Sequence, residues 1–78
     1  MLNFLSERLR KERRVLNITI EDLAHMAGVS THIISGIEDG SIPRPRDIYA
    51  IANILNVNPA WLQFGEPWAL KELPTSKR

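Results

Sequence analysis

Residues 19–40, TIEDLAHMAGVSTHIISGIEDG, constrain this chain more than any other stretch. Thr19 is a strong helix N-cap, and Asp22 stands three residues on, where a carboxylate can accept from the cap N–H. Ile18 before the cap and Leu23 after it have the spacing of a hydrophobic staple. Ser30 repeats the arrangement, with Val29 and Ile34 as its staple. Gly28 stands where the first of the two helices must stop, because glycine takes the left-handed conformation without a Cβ clash. Only a turn fits between Gly28 and Ser30, so the two helices must cross at a steep angle.

That arrangement is a helix-turn-helix, and its residues resemble a known family. The pattern T-x-x-x-L-A-x-x-A-G-V-S-x-x-x-I-S-x-I-E-x-G is met by Thr19, Leu23, Ala24, Ala27, Gly28, Val29, Ser30, Ile34, Ser35, Ile37, Glu38 and Gly40. It is similar to the motif of phage repressor and Cro-type (XRE-like) transcriptional regulators. Downstream, Pro45 precedes IYAIANILNV, and NPAWLQFG resembles the closing V-x-x-x-W-L-x-x-G segment of that family. The resemblance covers residues 4–65. It implies an all-α, lambda-repressor-like bundle of five short helices.

Composition narrows the function classes. A chain of 78 residues holds one domain, and 44% hydrophobic residues make it a folded one. With no cysteine there is neither a disulfide frame nor a thiolate metal site. Two unclustered histidines do not make a zinc site, so we expect no metal and no cofactor. No apolar run approaches the ~18 residues of a membrane span, and no signal peptide opens the sequence. A cytoplasmic location is the resulting expectation. No paired carboxylates, activated nucleophile or phosphate-cradling glycine loop can be assembled, which argues against an enzyme.

The net charge of +1 says little, but its distribution says more. Arg8, Arg10, Lys11, Arg13 and Arg14 crowd the first helix, and Arg44 and Arg46 form a second basic spot. Residues 19–40 contain no lysine or arginine, but carry Glu21, Asp22, Glu38 and Asp39. Any grip on phosphate must therefore come from outside the two central helices, from backbone N–H groups, or from neutral side chains.

In chain order, the first helix is expected over residues 3–16, with Leu5, Leu9 and Leu16 as its buried stripe. Arg13 shares that stripe, and a buried guanidinium needs a partner. Glu38 follows Ile34 by four residues and so shares its inner face. The two are paired here, and the resemblance implies the same salt bridge; the competing reading lets both side chains extend to solvent. In the second helix Leu23, Ala24 and Ala27 face inward. Ile20 occupies a position that is usually a DNA-facing glutamine in the family, and we read it as completing the apolar face.

The third helix uses Ile34 and Ile37 for the core. The resemblance implies DNA contacts from Thr19 and from Thr31, His32 and Gly36, with Ile33 and Ser35 beside them. Thr31 offers a hydroxyl and a methyl, His32 can donate to a purine N7, and Ile33 can touch a thymine methyl. Gly40 ends the helix. Pro43 and Pro45 stiffen the next loop and restrict Arg44 and Arg46, which suit phosphate or minor-groove contacts. Pro45 is expected to open the fourth helix, which buries Ile48, Ile51, Ala52 and Leu55. Asn56 suits a left-handed turn, and Asn58 caps a last helix that begins at Pro59. At least one of Trp61 and Trp68 should close the core.

The domain is expected to span residues 1–68, followed by a partly disordered tail over 69–78. The function expected is sequence-specific binding of double-stranded DNA by a phage or prophage repressor or Cro-like protein. One small domain reads few base pairs, so a homodimer on a two-fold operator follows. By resemblance its interface uses Arg44, Pro59 and Leu62. An alternative keeps the fold and makes a protein the main ligand, as in antitoxins. The acidic motif, Ile20 and Gly36 favour that alternative.

Overall fold

The computed structural model describes residues 4–73. These form five helices: α1 (Leu5–Val15), α2 (Ile20–Ala27), α3 (Thr31–Glu38), α4 (Ile48–Leu55) and α5 (Pro59–Phe64). There is no strand among the described residues. The third helix lies against α1 and α2, α4 lies against α2, and α5 closes the bundle on α4 and α1. Leu9, Leu23, Ile34, Ile37, Ile51 and Leu62, one or two from each helix, are the largest fully buried side chains.

The local signals explain most of the boundaries. Thr19 Oγ1 accepts from Asp22 N at 3.0 Å, and Asp22 Oδ2 accepts from Thr19 N at 3.1 Å, a complete capping box. Gly28 ends α2 in the left-handed conformation, φ +74°. Asn56 does the same for α4 at φ +60°, and Asn58 Oδ1 accepts from Ala60 N at 3.0 Å, with Pro59 opening α5. Ser30 stands at the N-cap of α3, but its side chain makes no capping bond.

Three expectations are corrected. First, Leu16 is not on the buried stripe of α1. The helix ends at Val15, Asn17 turns left-handed at φ +57°, and Leu16 is left 46% exposed. The buried residues of α1 are Leu5, Arg8, Leu9 and Glu12, an i, i+3, i+4, i+7 stripe in which two positions are charged. Asn3, where this helix was expected to begin, lies outside the described residues. Second, α4 opens at Ile48, not at Pro45. Pro45 is itself buried, residues 46–47 form a turn, and Asp47 is the N-cap. Third, Ile48 is only partly buried.

The two buried charges of α1 organise the C-terminal end. Arg8 Nε donates to Leu62 O and Nη2 to Gln63 O, both at 2.9 Å. These are carbonyls of the last turn of α5, which have no intrahelical partner. Burial lowers the pKa of this guanidinium, and Glu7 partly opposes that. Glu12 Oε2 meets Lys71 Nζ at 2.9 Å. The Lys71 ammonium also sits 5.7 Å from the Trp61 ring centre, and Lys71 O accepts from Asn58 N at 2.8 Å. Ala69 is partly buried against the core. Residues 69–71 of the expected tail therefore lie on the helices, and residues 74–78 lie outside the described part. Trp61 closes the core at 6% exposure, whereas Trp68 is 80% exposed.

Candidate nucleic-acid interface

The outer face of α3 is only as well placed as α3 itself, and two arginines of α1 fix that helix. Arg13 Nε donates to Glu38 Oε2 at 2.7 Å and Nη2 to Oε1 at 3.1 Å, a bidentate pair. Its remaining Nη1 donates to Ile18 O at 2.9 Å, so the same side chain also holds the link between α1 and α2. The hydrogen bond to Glu38 raises the Arg13 pKa above its ordinary value. Arg10 adds a second contact, with Nη2 donating to Glu38 O at 2.6 Å and Nε to Oε1 at 3.4 Å. Glu38 is thus a buried carboxylate clamped by two guanidinium groups, one of which also satisfies a terminal carbonyl of α3.

With α3 held in this way, Thr31, His32 and Ser35 are exposed on its outer face. Thr19 is exposed at the start of α2, with its hydroxyl engaged in the capping box. Ile33 is partly buried. It lines a cleft of about 280 Å³ together with Ile42, Arg44, Pro45, Arg46 and Asp47. Both arginines are exposed. The structure thus brings Ile33, Arg44 and Arg46 to one cleft beside the face that carries Thr31, His32 and Ser35.

Gly36 is not on the open face. It is buried, and a Cβ built there would lie 2.5 Å from Ile42 Cδ1. Ile42 covers it, a residue that the sequence reading passed over. The available signal was an isoleucine in a short polar loop six residues after a mid-helix glycine. Ile20, in turn, is partly buried against the core. Both residues cited for a protein-binding alternative are taken up by the fold's own packing.

The expected dimer residues separate. Arg44 and Pro59 line a second cleft, of about 440 Å³, with Ile48, Tyr49, Gln63 and Phe64 among its walls. Leu62 is 0% exposed and belongs to the protomer's own core, because the face of α5 that carries it turns toward α1 and α4. It has no surface to offer a second copy. Tyr49, 74% exposed, and Phe64, 53% exposed, are the aromatic groups of that cleft open to solvent.

Among the described residues no group of three or more His, Cys, Asp or Glu side chains could hold a metal ion, and no helix is long and apolar enough to cross a membrane.

Comparison with known proteins agrees with this arrangement. The sequence profile of a helix-turn-helix domain family matches residues 6–66. The HTH-type transcriptional regulator PrtR of Pseudomonas aeruginosa is 39% identical over 59 residues, covering 76% of this chain and 23% of that protein. The chain thus spans under a quarter of the length of that curated relative. Among solved structures, the P22 c2 repressor in complex with a synthetic operator superposes with TM-score 0.74 and 31% identity, over 81% of this chain and 97% of that one. The restriction-modification controller protein C.AhdI of Aeromonas hydrophila superposes with TM-score 0.67 and 28% identity, over 78% and 94%. The fold and the family are those of DNA-binding regulators, not of enzymes. The chain belongs to the helix-turn-helix domain family, in the fold shared by the phage-repressor DNA-binding domains.

Proposed function

We propose that this chain is the operator-reading domain of a Cro/C1-type transcriptional regulator of phage or prophage type, acting in the cytoplasm as a homodimer on two-fold DNA. The observation that carries this reading is the clamped third helix. Its exposed Thr31, His32 and Ser35 are neutral hydrogen-bonding groups on a rigid element, and two exposed arginines stand beside them. Neutral polar groups of this kind read base edges, and arginines hold the flanking phosphates. The identity to the P22 c2 repressor, a protein solved in complex with a synthetic operator, supports the same reading.

The dimer follows from size. One eight-residue helix, α3, spans few base pairs, and a second copy related by a two-fold axis doubles the site read. We assign its contact face to the cleft bounded by Arg44, Pro59, Tyr49 and Phe64. The test is to incubate the full chain with random genomic fragments, recover those bound, and sequence them. A single enriched motif with two-fold symmetry is the expected result. Recovery without any enriched motif, or a motif lacking symmetry, overturns the operator or the dimer respectively.

A further inference from the structure

Gly36 lies four residues after His32 and three after Ile33, at the edge of the outer face of α3. It lacks a side chain, yet the space where one would begin is filled. A Cβ there would meet Ile42 Cδ1 at 2.5 Å, Ile42 Cγ1 at 2.8 Å and Ser41 Oγ at 3.3 Å. Substitution at Gly36 and the present position of Ile42 therefore exclude one another.

The loop is fastened in this position at several points. Ile42 N donates to Gly36 O at 2.9 Å, and Ser41 Oγ donates to the same carbonyl at 3.3 Å. Asp39 Oδ1 accepts from Ser41 N at 2.8 Å, an Asx turn that starts the reversal. Further along, Gln63 Nε2 donates to Pro43 O at 2.9 Å and ties the loop to α5. The result is a cleft lined by Ile33, Ile42 and Pro45 and by the charged Arg44, Arg46 and Asp47. The Asp47 carboxylate repels phosphate, so backbone contacts fall to the two arginines, both exposed.

We propose that Ile42 is a base-reading residue, a loop side chain that crosses Gly36 and, together with Ile33, receives the C5 methyl group of a thymine. The proposal rests on the DNA-binding reading above and adds to it a specificity determinant from outside α3. The chemistry is selective. In the major groove thymine alone carries a methyl, whereas cytosine and adenine present amino groups that an apolar wall leaves unpaired. The two arginines bring the cationic charge that a cleft against the DNA backbone needs, and that α3 itself lacks.

The test uses the full chain and the operator recovered as described above, with each thymine replaced in turn by uracil, which differs only by the methyl. One thymine per half-site should stand out, its replacement weakening wild-type binding about fourfold, as burial of one methyl group gives. Ile42→Ala should lose much of the difference between the thymine and uracil operators, with Ile33 keeping the remainder, and keep wild-type affinity for unrelated DNA. Ile42→Val, which keeps a branched wall, should retain more of the discrimination than Ile42→Ala and serves as the check that the loop still folds. A wild-type protein indifferent to every replacement overturns the proposal and leaves operator binding intact. Discrimination undiminished in Ile42→Ala overturns it as well. Failure of the wild type to bind any DNA overturns this inference together with the reading beneath it.

Discussion

At the residue scale the clamp on Glu38 decides most. Its side chain is 6% exposed and that of Arg13 is 13% exposed, so neither charge has enough water to stand alone. Removing Glu38 leaves Arg13 largely buried without its counter-charge, whereas removing Arg13 leaves Glu38 only the longer contact to Arg10 at 3.4 Å. Glu38→Gln should therefore lower stability by about 3 kcal/mol, and Arg13→Met by somewhat less. Arg10, whose side chain is 39% exposed, can turn to solvent, and Arg10→Ala should cost under about 1 kcal/mol. The double variant Arg13→Met, Glu38→Gln should cost clearly less than the sum of the singles, because neither charge is then stranded. Urea unfolding of the four proteins checks this, and an additive double variant contradicts the coupling. This pair is legible from spacing together with the family resemblance, Arg13 standing four residues after Leu9 and Glu38 four after Ile34; in the structure Arg13 flanks the buried stripe and does not belong to it. Arg8 and Glu12 were not legible in that way. Their partners are the carbonyls of Leu62 and Gln63 and the ammonium of Lys71, and no local periodicity points across that length of chain.

At the scale of elements, the two central helices start with similar residues but different physics. Thr19 and Asp22 exchange hydrogen bonds, whereas the Ser30 hydroxyl makes none at its cap. Thr19→Ala should lower the melting free energy by about 1 kcal/mol, while Ser30→Ala should change it by only a few tenths. Thermal unfolding of both variants separates the two cases, and equal losses contradict the difference in capping. The sequence signature is the same at both helices because a threonine or serine at an N-cap marks where a helix starts, not whether its hydroxyl is used. What completes the first cap is the carboxylate at N3, and the corresponding position of α3 is Ile33. A similar point explains the late start of α4. Proline is compatible with a first helical position, but here Pro45 is buried beside Ile33 and Ile42, and the chain needs residues 46–47 to turn before a helix can begin. Prolines mark boundaries reliably, but which side of the boundary they occupy is decided by tertiary packing.

At the scale of the whole molecule, the same accounting of exposure separates the core from the face proposed for a second copy. Helix periodicity marks Leu62 as apolar but cannot say whether an apolar residue on a short last helix faces its own bundle or a partner. The packing of α5 onto α1 and α4 answers that, leaving Leu62 inside and Tyr49 and Phe64 outside. A stable dimer buries ~800 Å² per partner, a modest fraction of the 5254 Å² that this protomer exposes. Two exposed aromatics beside a cleft suit the centre of such a patch, because large rings bury much area with few rotamers. Tyr49→Lys and Phe64→Asp should leave the melting temperature of the dilute protomer nearly unchanged, since both side chains are exposed there. Each should weaken assembly into dimers by at least tenfold, as a charge placed in the centre of an apolar contact does. Operator binding should fall with it, because the second half-site is no longer delivered with the first. Leu62→Ala should behave in the opposite way, losing about 2–5 kcal/mol of protomer stability through the cavity it leaves. Sedimentation equilibrium and thermal unfolding on the three variants distinguish the two behaviours. A dimer that survives both charge substitutions requires another contact face, with Arg44 then free to serve DNA alone.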